Sequence, residues 1–222
     1  EVNSRKRDSA YDEYEKYGGF PSVVIAEEAI KDTILSGIFD TIVLNDVALR
    51  SGVKDPTALK SIISFLSDNV GQLVNSSKIV NTLKSEGVET TAHTVNRYLD
   101  LLENGYLFYR VKQYDIRGSE SLRTNGKYFI VDSGLRRNAI GRKDGNYSNR
   151  LENIVFIELK RRGYTIDVGR LDNKEIDFVA RRLDETLYVQ VTYELPNNTH
   201  ETDNLLNITD NYKKIVITGR YH

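Results

Sequence analysis

Six polar side chains between positions 96 and 127 are of the types a protein uses to hold a polyanion: Asn96, Arg97, Lys112, Arg117, Arg123 and Lys127. Amide and guanidinium groups such as those of Asn96 and Arg97 match the hydrogen-bonding edges of bases in a DNA major groove. Cations spread along a hairpin, as the other four are, meet phosphates instead. Residues 106–143 hold nine Lys and Arg against three Asp and Glu, a local +6 inside a chain of net charge −1. Such an asymmetry is expected where a segment touches nucleic acid, although solvated basic loops give the same count.

The elements that would carry these residues can be read from caps and periodicity. Ser76-Ser77 opens a helix with Ile79, Val80 and Leu83 inward and a stop at Gly87. Thr90-Thr91 opens a second, with Val95, Leu99 and Leu102 inward, Asn96 and Arg97 on its polar side, and Gly105 at its end. Alternation from Tyr106 to Tyr114 and again from Lys127 to Val131 predicts two strands around a loop containing Arg117, Gly118, Arg123 and Gly126. Two helices followed by a basic-tipped hairpin is the winged helix-turn-helix order, a module that also serves in protein–protein contacts.

Before this module the chain reads as helical. Tyr17-Gly18-Gly19-Phe20-Pro21 ends a helix that begins at Glu1, and Ile30, Ile34, Ile38, Ile42 and Val47 recur at near-helical spacing. Asp55-Pro56 restarts a helix bearing Leu59, Ile62, Ile63 and Leu66. After it, Gly141 to Asn149 reads as a polar linker. Beyond the linker the order is helix (150–162), strands (164–168, 175–180 and 186–193), short helix (201–208) and strand (214–218). The expected class is α+β, with a helical segment at 1–70, a winged helix at 71–143 and an α/β domain with a mixed sheet at 144–222.

Composition narrows the chemistry. Cysteine is absent, which excludes disulfides and thiolate metal sites, and His93, His200 and His222 lack ligand spacing. There is no phosphate-binding G-x-x-x-x-G-K-[ST] and therefore no Walker-type ATP site within these residues. No apolar run approaches the ~20 residues that cross a bilayer, and no signal-peptide pattern occurs, so the cytoplasm is the expected compartment. Methionine is absent even at position 1. A segment excised from a longer chain is expected to give that result.

The order of elements after residue 144, with particular acidic positions, resembles the PD-(D/E)XK, or restriction-endonuclease-like, superfamily. The resemblance implies a site built from Glu152 on the first helix, Asp177 on the second strand and Gln190 on the third. Asp177 and Gln190 would hold Mg²⁺ or Mn²⁺ if that site were active, and the metal would activate a water against a phosphodiester. This chain departs from the pattern at Gln190-Val191-Thr192, where an acid and a lysine are usual and where threonine cannot replace an ammonium. A weakened or inactive site is the expectation, unless Lys160 or Lys174 reaches it.

The chain as a whole looks like the C-terminal region of a prokaryotic AAA-type ATPase family. The segments that carry the likeness include Tyr17-Gly18-Gly19-Phe20-Pro21, Leu66-Ser67-Asp68-Asn69-Val70-Gly71, Val131-Asp132-Ser133-Gly134-Leu135-Arg136, Leu151-Glu152-Asn153 and Val189-Gln190-Val191-Thr192-Tyr193. The resemblance implies an upstream ATPase domain, with its ATP and Mg²⁺; DNA as a partner rests on the winged-helix reading and its basic hairpin. Two alternatives stand beside a non-cleaving DNA module: an active metal-dependent nuclease, and a scaffold that recruits a protein or a second copy of the chain.

Overall fold

The computed structural model describes residues 2–43, 47, 53, 55–118, 120–141, 147–194 and 200–219. They form an α+β structure with a seven-stranded mixed sheet. It divides into two compact units, each assembled from three stretches of chain. The first takes Glu1–Val70, Val74–Tyr109 and Ile130–Gly145, and the second Gly71–Leu73, Arg110–Phe129 and Asn146–His222. The division therefore differs from the three consecutive segments expected, because residues 110–129 group with the sheet that follows residue 146.

The first unit is helical because its sequence supplies caps where helices begin and breakers where they end. Helix α1 (Val2–Tyr17) stops at Gly18, whose φ of +78° favours a residue without a Cβ. Helix α2 (Pro21–Val24) starts on proline, and α3 (Glu28–Asp40) follows. The buried stripe from α3 onward is Lys31, Leu35, Phe39, Val43 and Val47. It lies one residue beyond the expected Ile30, Ile34, Ile38 and Ile42, and Ile30 is half exposed. The isoleucine spacing suited either face. The face that turned inward includes a lysine, whose ammonium donates to Glu13 Oε1 (2.6 Å) and to the carbonyls of Val23 (2.7 Å) and Val24 (3.2 Å). Helix α4 (Pro56–Asp68) begins where expected, with the Asp55 carboxylate accepting from the Thr57 and Ala58 amides. The expected helix stop at Gly52 lies outside the described residues.

The pair α5 (Ser76–Ser85) and α6 (Ala92–Asn104) follows a two-residue strand β1 (Leu73–Val74). Thr91 caps α6 as expected, whereas α5 is capped by Asn75 rather than by the serines after it. Strands β2 (Phe108–Asp115) and β3 (Glu120–Ile130) come next, and β3 is far longer than the expected 127–131. Helix α7 (Ser133–Ile140) was not expected. It is central to the first unit, lying against α1, α3 and α4.

Asp132, its N-cap, organises that unit. One carboxylate oxygen accepts from Gly134 N (2.8 Å) and Leu135 N (3.2 Å), and the other accepts from Gly19 N (2.8 Å). Ser133 donates its hydroxyl to the Tyr14 carbonyl, and the buried Arg136 donates Nε to the Ser67 carbonyl. Three of the family-like segments thus converge on one junction.

The second unit carries most of the sheet, in the order β1-β3-β2-β4-β5-β6-β7, with helices α8 (Tyr147–Arg161) and α9 (His200–Leu206). Strand β4 (Thr165–Leu171) runs parallel to β2 and antiparallel to β5 (Lys174–Arg182). Strand β6 (Glu185–Thr192) is antiparallel to β5 and parallel to β7 (Lys213–Thr218). Phe129, Phe156 and Phe178 form the aromatic centre between the sheet and α8, the first two stacked at 4.3 Å. Ile176, Val179 and Tyr188 belong to a second cluster, with Leu205 and Ile208 from α9 and the turn after it. Among the described residues, no helix is long and apolar enough to cross a membrane.

A Cβ at position 134 would lie 2.2 Å from the Tyr17 carbonyl oxygen, a backbone atom that cannot swing aside. Gly134→Ala is expected to cost ~1–3 kcal/mol by overpacking. The check is urea unfolding, in which the midpoint falls while the slope is unchanged.

Candidate functional site

Local geometry brings four elements of the second unit to one point. On β3, Lys127 and Phe129 are two apart and so share a face of the sheet. On α8, Glu152 and Phe156 are four apart and so share a face of the helix. The stack of Phe129 on Phe156 therefore brings Lys127 to Glu152 one rung away. Strand β5 adds its carboxylates through a bulge. Asp167 pairs with Val179 and Gly169 with Ile176, so two residues, Asp177 and Phe178, lie opposite Val168 alone. The extra residue turns Asp177 and Phe178 to the same face, which breaks strict alternation and leaves five consecutive buried residues, Ile176 to Ala180.

The result is an ammonium enclosed by carboxylates. Lys127 Nζ stands 2.7 Å from Glu175 Oε1, 2.9 Å from Glu152 Oε1 and 3.9 Å from Asp177 Oδ1, and its side chain is 3% exposed. Asp177 Oδ2 accepts from Val191 N at 2.7 Å, while Gln190 Oε1 accepts from Asp177 N at 3.4 Å. Gly71 covers the Glu152 carboxyl. Its φ is +73°, and a Cβ there would come 2.9 Å from Glu152 Oε2.

Three carboxylates around one ammonium leave an excess of negative charge in a dry place, and the most enclosed acid absorbs it. Burial pushes Glu152 up to about 8, with Asp177 and Glu175 adding to the shift and Lys127 opposing it. Burial alone would pull Lys127 down. The combined field of Glu152, Glu175 and Asp177 outweighs it and holds the ammonium above the ordinary lysine range.

Mg²⁺ needs a near-octahedral set of oxygens at about 2.1 Å. Here Glu152 and Glu175 each direct an oxygen to the Lys127 ammonium, and Asp177 Oδ2 and Gln190 Oε1 meet backbone amides. The residues present do not fit a resident divalent metal. Among the described residues, no group of three or more His, Asp or Glu is arranged to hold one.

The three positions named for the nuclease-like site are thus neighbours: Gln190 bonds Asp177 directly, and Lys127 links Asp177 to Glu152. Of the residues named for DNA, Asn96 and Arg97 lie on the exposed face of α6, and Lys112 is exposed on β2. Arg117 is exposed and pairs with Asp172 at 2.9 Å. The side chain of Arg123 lies outside the described residues. Lys127 requires a correction, because an ammonium this buried, already satisfied by acids, cannot serve a phosphate on the surface of the hairpin. Lys160 and Lys174, the candidates for a substitute ammonium, are both exposed. The role of Lys127 and the membership of Glu175 went unread. The available signal was the pairing of a cation with an aromatic two residues on, opposite an acid with an aromatic four residues on.

Comparison with known proteins places the chain in a family. The family model described as a domain of unknown function, DUF8612, matches residues 8–146, and the chain belongs to that family. An uncharacterised protein of Haemophilus influenzae is 71% identical over 219 residues, covering 99% of this chain and 55% of that protein. An uncharacterised protein of Methanocaldococcus jannaschii is 27% identical over 196 residues, covering 86% of this chain and 43% of that protein. The chain thus spans about half the length of the curated relatives it matches. No solved structure matches it.

The raised Glu152 gives a pH dependence of definite sign. Between its ordinary value of 4.5 and about 8, the folded chain keeps a proton on Glu152 that the unfolded chain releases. The stability this group contributes is full below that window and is lost as pH rises through it. Glu152→Gln holds the neutral form throughout. Its melting temperature relative to the parent is expected to rise on going from about pH 5 to about pH 8, as read by calorimetry. A flat difference would remove the burial argument.

Proposed function

We propose that this chain is the DNA-associated part of a prokaryotic AAA-type ATPase working in the cytoplasm, and that its restriction-endonuclease-like domain holds nucleic acid without cutting it. One observation carries the reading. Glu152, Asp177 and Gln190, the positions implied by the nuclease resemblance, meet on one helix and two adjacent strands, yet they close on a lysine instead of an open cation seat. The order β1, α5, α6, β2, β3 supports a winged helix, and its exposed Asn96, Arg97, Lys112 and Arg117 are suited to bases and phosphates. The greater length of the relatives leaves room for an ATP-binding domain. In that arrangement nucleotide-driven motion elsewhere would govern a grip supplied here, and catalysis of strand cleavage plays no part.

The test is binding to labelled duplex and branched DNA across a salt series, with cleavage followed in Mg²⁺ and Mn²⁺. Binding should weaken steeply with salt; Lys112→Ala should lower the slope of log K against log salt by about one, and Arg97→Ala should relax the preference between DNA sequences. No binding at low salt sinks the DNA reading. Manganese-dependent cutting that disappears in Asp177→Ala sinks the non-cutting one.

A further inference from the structure

We infer that the tip of the β5–β6 hairpin, together with the turn that leads into β7, is a self-complementary surface through which two copies of this chain associate. The inference goes beyond the DNA reading and does not depend on it.

The hairpin turn has two residues, Leu183 and Asp184, because Arg182 pairs with Glu185 across the strands. Leu183 takes a φ of +47°, in the left-handed region that glycine or asparagine ordinarily fills in so short a turn. Its side chain is fully exposed. The leucine therefore carries a conformational cost and gains no burial from its own copy. A lone exposed leucine is ordinary on a protein surface. This one stands on one side of a groove of about 460 Å³, whose other side is formed by Asn211, Tyr212 and Lys213. Tyr212 is 52% exposed there, and its ring lies 6.2 Å from that of the buried Tyr188, which Asp210 holds by a 2.6 Å hydrogen bond.

Charge sets the kind of partner. Arg182 and Glu185 answer one another at 3.4 Å. Asp184 and Lys213 are both exposed and take part in no ion pair or side-chain hydrogen bond among the described residues. They lie on opposite sides of the groove, the acid beside Leu183 and the base beside Tyr212. A two-fold axis through the groove lays the hairpin side of each copy on the 211–213 side of the other. Leu183 then meets Tyr212 of the second copy, Asp184 meets its Lys213, and both contacts are made twice. A partner of one charge sign would leave either the acid or the base unanswered, which is why the surface fits a copy of itself. A groove of this size makes an interface below the ~1,200 Å² typical of stable pairs, so the association is weak and depends on concentration.

The experiment follows sedimentation of the full chain, without DNA, from about 1 µM to about 1 mM, with the dimer expected to be half formed near ~0.1 mM. Leu183→Gly is expected to weaken the pair about tenfold or more. Because glycine suits a positive φ, the melting temperature of that variant in dilute solution should hold or rise. A fall would mean that the leucine serves its own copy, and would overturn the inference. Asp184→Lys and Lys213→Asp should each be monomeric alone, since like charges then face one another twice. An equimolar mixture of the two should recover the dimer, because both contacts again join opposite charges. A parent chain that stays monomeric throughout overturns the inference, as does a dimer that survives all three substitutions or a mixture that fails to recover. None of these readings involves nucleic acid, so failure here is distinct from failure of the proposed function.

Discussion

A charge removed from water must find its solvation within the fold, and this requirement shapes the second unit around Lys127. Leaving such an ammonium unpaired would be costly, and so would leaving the acids without it. Strand β3, helix α8 and strand β5 are therefore held in mutual register twice: by the stacked phenylalanines, which tolerate small slips, and by the charged group, which does not. The aromatic contact supplies burial, and the ion cluster supplies uniqueness, since shifting β3 by one residue would send Lys127 to the opposite face. The bulge in β5 follows from the same demand, because regular alternation could not present both Asp177 and Phe178 to α8.

The first unit answers the same demand with a carboxylate. Asp132 is largely enclosed, which raises its pKa, but three backbone amides converge on it and pull the other way. Gly18 and Gly134 are small because that junction leaves no volume for a Cβ. Segments whose likeness to a family first suggests function, Tyr17 to Pro21 and Val131 to Arg136, thus have a sufficient structural reason for their residues. The Gly71 segment is different, since its glycine touches a member of the charged centre.

Much of the fold was legible because caps, breakers and periodicity are local. Asp55, Thr91, Gly105 and Gly163 mark ends that the structure keeps, and the order of elements after residue 147 agrees with the expectation to within a few residues at each end. What was illegible depends on distant partners. Position 31 is buried because Glu13 and two carbonyls wait for its ammonium, which no apolar periodicity reveals. Helix α7 begins at a capping aspartate that could have been read, but its Ser-Gly-Leu-Arg-Arg run has little apolar signature of its own. At the centre, the nuclease resemblance named Glu152, Asp177 and Gln190, which the fold brings near one another. They gave no hint that the lysine comes from 25 residues before Glu152, because no spacing rule connects a hairpin to a later helix.

The division of the chain bears on heredity as well as mechanics. Each unit is made of three separate stretches, so the polypeptide alternates between them along its length. Neither unit can be recovered from the chain by a single cut. The stretch common to the family stops at 146, six residues before Glu152. A protein inheriting only that stretch would carry the lysine of the centre with none of its acids, and would have to solvate that charge or replace it. The charge at position 127 is thus answered by sequence that lies downstream of that stretch.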